Sequence, residues 1–239
     1  MKKYLKNLII KDILKAIDDF NMIKENDYIA VGISGGKDSM VLLYALNLIR
    51  KYSKYRFNLI GINIDYGNRM DFSEIDKFCK ENEIDFYIEK TNIIEELNFE
   101  EKSTCYKCAK MRKGAIKRVC KLKNINKIAF GHHKDDVAQT FFLNLLQVGK
   151  LGAFSPNLKD KKDNISIIRP LIYVDEQSII KVKEIEKIPI VESKCPLNKK
   201  TKREDMKELI KEIEIKNKDV KNKIISSLKN IYEDGIWKV

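Results

Sequence analysis

The chain is poor in the residues that punctuate and cross-link a fold. Four prolines and ten glycines are spread over 239 residues, and no internal repeat or low-complexity linker divides it. The five cysteines, Cys79, Cys105, Cys108, Cys120 and Cys195, are an odd set. That argues against a disulfide framework and for a reducing compartment. No apolar run approaches the length of a membrane span. The opening Met-Lys-Lys-Tyr-Leu-Lys lacks a clean apolar segment and a small-residue cleavage site. No signal peptide and no membrane partner are therefore expected, and the expected location is cytoplasmic. Two common nucleotide signatures are also missing. The chain has no Walker A loop and no Gly-x-Gly-x-x-Gly.

What is present suffices for a globular fold. Hydrophobic residues make up 44% of the chain, enough to bury a core. Lys and Arg number 47 against 35 Asp and Glu, a formal charge of +12, which favours a polyanionic partner. Leu5, Ile9, Ile13 and Ile17, spaced four apart, predict a helix over residues 1–22. Apolar, β-rich runs then alternate with helical patterns. The strands are expected at 28–33, 57–64, 86–89, 127–130 and 166–171. Ser73 is expected to cap a helix reaching about residue 82. Helices are also expected at 105–123 and 175–187, and two more, basic ones, after residue 199. This alternation predicts an α/β fold, a doubly wound, mainly parallel five-stranded sheet of Rossmann-like type with helices at both ends. Ligands of such sheets sit at the carboxyl ends of the strands.

Ser34-Gly35-Gly36-Lys37-Asp38-Ser39 lies between the first strand and its helix. Two glycines let a backbone approach an anion closely, and a helix start offers unpaired N–H groups and a positive dipole end. Ser34 and Ser39 add hydroxyls and Lys37 a charge. Asp38 beside a phosphate cradle makes sense as a Mg²⁺ ligand. Asp65 ends the second strand; it either contacts a nucleotide or starts the Asp65-Tyr66-Gly67 turn.

Gly131-His132-His133-Lys134-Asp135-Asp136 holds both histidines of the chain and precedes a helical stripe. One of Asp135 and Asp136 is expected to cap that helix, and the other is a candidate metal or positioning group, Asp136 being the one assigned to magnesium. Cys105-Tyr106-Lys107-Cys108 is a C-x-x-C opening a basic helix, and Cys195 sits in Lys194-Cys195-Pro196. Spacing leaves zinc, a redox pair and an Fe–S cluster open for these three. Cys79 and Cys120 fall within apolar patterns and are expected to be buried. Lys110, Arg112, Lys113 and Lys117 after the C-x-x-C, with Lys200, Lys202 and Arg203 later, are candidate RNA-phosphate contacts, against the blander reading of solvated helix faces.

The Ser34–Ser39 loop resembles the signature of the PP-loop, or N-type, ATP pyrophosphatases. The stretch from Gly131 to Asn144 resembles the second signature of the tRNA-thiolating branch, and the nearest family by these motifs is the tRNA 2-thiocytidine (TtcA) family. The resemblance runs from about residue 28 to residue 213. It implies an adenine nucleotide alpha hydrolase-like fold over 26–198, flanked by a helical segment at 1–25 and a basic helical extension at 199–239. It implies an enzyme that uses ATP and Mg²⁺ to adenylate a tRNA base oxygen and then replaces that oxygen with sulfur. Ser34 to Ser39, Asp65, Gly131 and His132 would bind ATP. Cys105, Cys108 and Cys195 would hold a [4Fe–4S] cluster with one free iron for the incoming sulfur. Asp38, Asp135, Cys105 and Cys195 would be the catalytic residues. The sulfur donor would be free sulfide or a cysteine desulfurase, and a homodimer is left open. At the late position this chain has Cys195 alone, where the 2-thiocytidine enzymes carry a second C-x-x-C; in this it is more similar to the 2-thiouridine branch, so 2-thiocytidine, 2-thiouridine and 4-thiouridine are all retained as products. Two other readings stand beside this one. They are a PP-loop ligase or amidotransferase on a small molecule with zinc at the cysteines, and a nucleotide-binding module without turnover.

Overall fold

The computed structural model describes residues 2–67, 70–97, 104–160, 162–192 and 202–230. Cys195 and Lys200 lie outside the described residues. The N-terminal helix runs through α1 (Lys3–Leu5), a π-helical turn (Lys6–Ile10) and α2 (Lys11–Asp19). Its apolar stripe is fully used: Leu5, Ile9, Ile13 and Ile17 are buried, and each such burial is worth about 2 kcal/mol. These residues join the same core cluster as the sheet.

Strand β1 (Asp27–Ile33) leads into α3 (Lys37–Tyr52), β2 (Phe57–Asp65) into α4 (Ser73–Glu81), and β3 (Asp85–Lys90) into α5 (Thr104–Leu122). Strand β4 (Lys127–Ala129) is followed by α6 (Lys134–Leu143), which relaxes into a π-helical turn (Asn144–Val148). The antiparallel pair β5 (Asn157–Asp160) and β6 (Ile165–Ile168) precedes α7 (Glu176–Ile185), and the described chain closes with α8 (Lys202–Lys216) and α9 (Val220–Lys229).

The strands form one sheet in the order β3-β2-β1-β4-β6-β5, parallel except for β5. It is six-stranded, not five-stranded as expected. The added edge strand, Asn157-Leu158-Lys159-Asp160, has no apolar run to announce it; it forms because β6 offers a free edge. The doubly wound prediction holds. Side chains of a strand alternate between faces, so Ile29, Val31 and Ile33 enter the core cluster that takes in α2, α3 and α7, while Ala30 enters the one that takes in α5. The C-terminal helices cover α6, with Ala138, Ile210 and Ile224 in a third small cluster.

The expected cap of α4 is corrected. Ser73 is the first residue of the helix rather than its cap, and Asp71 Oδ1 accepts the Ser73 N–H at 2.9 Å. Cys79 and Cys120 are buried as expected, and burial pushes both thiols up to about 12.

Candidate active site

The order of strands reverses between β1 and β4, and the glycine loop sits at that point, where doubly wound sheets bind ligands. Gly35 has φ +89°, and a Cβ there would meet the Val191 carbonyl oxygen at 3.0 Å. Both a left-handed backbone and close packing therefore call for glycine. The Val191 N–H in turn donates to the Gly35 carbonyl at 2.9 Å. The two serines stiffen the loop from inside. Ser39 Oγ donates to the Gly36 carbonyl at 2.9 Å and lies 3.2 Å from Ser34 Oγ, which accepts the Gly36 N–H. The Ser39 hydroxyl therefore donates within the loop.

Gly131, at the exit of β4, explains why the second motif opens with glycine. A Cβ on it would lie 2.8 Å from the Asp38 carbonyl carbon and 3.0 Å from the Ser39 nitrogen. The two motifs are packed backbone to backbone. His133 follows, buried, with three carboxylates around its ring. Nε2 lies 3.7 Å from Asp38 Oδ1 and 3.5 Å from Asp136 Oδ2, and Nδ1 lies 3.5 Å from Asp135 Oδ2. Burial disfavours its charge, but these acids outweigh burial and raise its pKa. Asp136 is the capping acid of α6, accepting the His133 N–H at 3.0 Å. Asp135 is buried; burial works against its charge, yet His133, Lys221 and the Glu176 N–H hold its carboxyl well below the usual range.

Lys37 Nζ lies 3.2 Å from Asp38 Oδ1 and 3.0 Å from Glu176 Oε1. Asp38 Oδ1 is buried and meets no hydrogen-bond geometry among the described residues, its near neighbour being the Lys37 ammonium; a hard cation at that oxygen would take the ammonium's place. Asp136 is less free to hold one, since its other oxygen faces Arg203 Nη1 at 3.4 Å.

Beside the loop opens a cavity of about 380 Å³. One wall is the loop and the carboxyl ends of β1 and β2 (Gly32, Ser34, Ile64). The opposite wall is α5, through Ala109, Arg112 and Lys113. His132 and Arg169 form the end of it. Burial, with the Arg169 charge, lowers His132 to about 4, and burial lowers Arg169 to about 10. Both pack on the Phe154 ring, at 4.9 Å and 4.8 Å. His132 Nδ1 and Arg169 Nε have no hydrogen-bond partner among the described residues.

Cys105 and Cys108 lie on the first turn of that same α5, three residues apart and so on one helix face. Neither lines the cavity, whose α5 wall begins at Ala109; two soft thiols one turn apart are part of a donor set that suits an Fe–S cluster. Cys195, the third expected ligand, falls outside the described residues; Val191, four residues before it, is bonded to the glycine loop.

Other expected site residues land differently. Asp65 serves the turn, its Oδ1 accepting the Gly67 N–H at 2.9 Å. Arg112 and Lys113 line the cavity, with Arg112 5.0 Å from the Tyr66 ring centre. Lys117 is already held by Asp160 and by Asp163 at 2.7 Å, so its charge clamps α5 to the β5–β6 hairpin. Lys202 reaches Gln147 at 2.8 Å, and Lys110 is exposed. Sequence reasoning missed Arg169, Glu176, Lys207 and Lys221. Only Glu176, next to the capping Asp175 at the start of a helix, carried a local signal.

Residues 5–213 match the PP-loop domain family. A tRNA-cytidine(32) 2-sulfurtransferase of Geotalea uraniireducens is 37% identical over 225 residues, 91% of this chain and 88% of the relative. The tRNA-cytidine(32) 2-sulfurtransferase of Geobacter metallireducens is 36% identical over 236 residues, 96% of this chain and 91% of the relative. Among solved structures, the U34-tRNA thiolase NcsA from Methanococcus maripaludis with its [4Fe-4S] cluster superimposes with a TM-score of 0.80 at 25% identity, covering 98% of this chain and 81% of that one. A glycine loop at the sheet's switch point, packed against a Gly-His-His-Lys-Asp-Asp segment, thus places the chain in the PP-loop family that includes the tRNA-cytidine(32) 2-sulfurtransferases.

Proposed function

We propose that the chain is an ATP-dependent tRNA sulfurtransferase that replaces the 2-oxygen of a cytidine with sulfur. The observation that carries this is the single cavity with the glycine loop on one wall and the Cys105–Cys108 helix on the other. The names of the relatives favour cytidine over uridine, although Cys195 stands alone in the late motif.

In this reading the amides of the loop and of the start of α3 bind the ATP phosphates. Lys37 adds charge where negative charge develops on the transferring phosphoryl group. The base oxygen attacks the α-phosphorus, the new O–P bond forms, and the α–β phosphoanhydride bond breaks to release pyrophosphate. Sulfur then adds at the same carbon, the C–O bond breaks, and AMP leaves. Mg²⁺, when bound, neutralises triphosphate charge, with Asp38 as its main protein ligand. Cys105, Cys108 and Cys195 would hold a [4Fe–4S] cluster, which when bound would present sulfur in nucleophilic form. Asp135 keeps His133 and the start of α7 in place; the apolar walls, Ile64, Ile116 and Phe130, keep water from the adenylated base. Arg112 and Lys113 of the cavity wall, with the exposed Lys110 on the same helix, would face the incoming tRNA. We place the enzyme in the cytoplasm; no described helix is long and apolar enough to cross a membrane. Free sulfide or a cysteine desulfurase would deliver the sulfur.

The test is nucleoside analysis of tRNA from a strain lacking the gene. The expected result is loss of 2-thiocytidine, restored by the unaltered gene and not by Asp38→Ala. Loss of a thiouridine instead would move the target; retention of every thionucleoside would overturn the assignment. With purified protein, pyrophosphate and AMP should form only when tRNA is present, which a module without turnover could not do.

A further inference from the structure

Lys37 is the one lysine of the glycine loop, and two anions of the protein already hold it: Asp38 Oδ1 of the loop itself, at 3.2 Å, and a second from α7. Glu176 Oε1 lies 3.0 Å from its Nζ, and the other oxygen, Oε2, lies 3.2 Å from Lys207 Nζ of α8. The Glu176 backbone does not move freely with its side chain. Its N–H donates to Asp135 Oδ2 at 2.8 Å, and it follows the capping Asp175 whose side chain accepts the Ser178 N–H at 2.9 Å. The carboxylate therefore pivots on a fixed point between two lysines. Its charge is secure there: burial opposes it, but Lys37 and Lys207 together lower its pKa. Lys207 is one of three cations that α8 and α9 set against this end of the site. The others are Arg203, 3.4 Å from Asp136, and Lys221, 2.6 Å from Asp135.

We propose that Glu176 and Lys207 are positioning residues for Lys37: Glu176 is an internal anion that holds the Lys37 ammonium until a triphosphate displaces it, and Lys207 keeps Glu176 compensated once it is displaced. The inference rests on the reading that the loop binds ATP phosphates. When the ammonium turns to phosphate, Glu176 is left beside a polyanion. With Lys207 in place its charge stays paired. Without Lys207 it both grips Lys37 harder and repels the incoming phosphates.

The test measures the Kd of full-length, anaerobically purified protein for α,β-methylene-ATP with Mg²⁺, alongside thermal melts of each variant. Glu176→Gln removes the α7 anion from Lys37, leaving Asp38 of the loop as its remaining partner, and should lower the Kd about fivefold, the scale of one part-exposed ion pair. Lys207→Met should raise it about threefold on the same scale, and Lys207→Arg should leave it unchanged. In the double variant the Lys207→Met effect should vanish, because its target is gone. A merely structural Glu176 would give the opposite sign, weaker nucleotide binding with a lower melting temperature. A Glu176→Gln Kd that rises or stays put, a Lys207→Met effect that persists beside Glu176→Gln, or failure of the arginine variant each overturns the proposal alone. No binding by the unaltered chain overturns the ATP reading and this inference together.

Discussion

The Val191 N–H donates to the carbonyl of Gly35 at 2.9 Å. One hydrogen bond thereby ties the glycine loop to the segment that leads to Cys195.

Gly35→Ala tests that contact. The new methyl group would occupy a φ of +89° and stand 3.0 Å from the Val191 oxygen. A left-handed alanine costs about 1–2 kcal/mol, and the crowding adds to it. The expected outcome is a lower urea midpoint and at least tenfold weaker ATP binding. A variant with unaltered nucleotide affinity would show that the loop does not hold the phosphates.

Gly131→Ala tests the packing of one motif on the other. Its Cβ would fall 2.8 Å from the backbone of Asp38, and backbone cannot step aside as a side chain can. Overpacking of this kind costs about 1–3 kcal/mol. Urea unfolding should register that loss, and pyrophosphate release should fall with it, because Asp38 and Ser39 are pushed out of place.

The two histidines give stability opposite dependences on pH. His132 resists protonation down to about 4 in the fold, while an unfolded imidazole takes its proton near ~6.5. Between those values the unfolded chain binds more protons, so stability falls as pH drops from about 6.5 towards 4. His133 is raised, so its contribution is full below about 6.5 and is lost as pH rises through its folded value. Urea unfolding across pH 5 to 8 checks both. His132→Asn should flatten the acid limb and His133→Gln the alkaline one; limbs left unchanged would contradict the burial and charge balance given above.

The cysteines separate by environment. Anaerobically purified Cys105→Ala, Cys108→Ala and Cys195→Ala should each lose iron and acid-labile sulfide. Cys79→Ala and Cys120→Ala should keep both, because those thiols are buried and pushed up to about 12 and cannot present thiolates to a metal. They should instead lose about 1 kcal/mol of stability through the lost packing. Zinc in place of iron in the unaltered protein would favour a small-molecule ligase.

What could be read before folding was local. The strand, the glycine turn and the helix around Ser34–Ser39 lie in one contiguous stretch, and so do the cap and stripe around Asp136. Short-range sterics and hydrogen bonds decide such units, and they were legible. The β5 strand was not, because a polar edge strand exists only where a neighbour offers unpaired backbone. Nor could counting lysines say where they point. Lys117 turns to Asp160 and Asp163, and Arg203, Lys207 and Lys221 turn to Asp136, Glu176 and Asp135, across distances along the chain that only the packed sheet closes. The sequence by itself determined the glycine loop, the C-x-x-C helix and the alternation of strands and helices that makes a doubly wound sheet. The tertiary structure alone decided that loop and helix face each other across one cavity, and which cations remain for a polyanion, because Coulomb pairing and burial depend on separation in space.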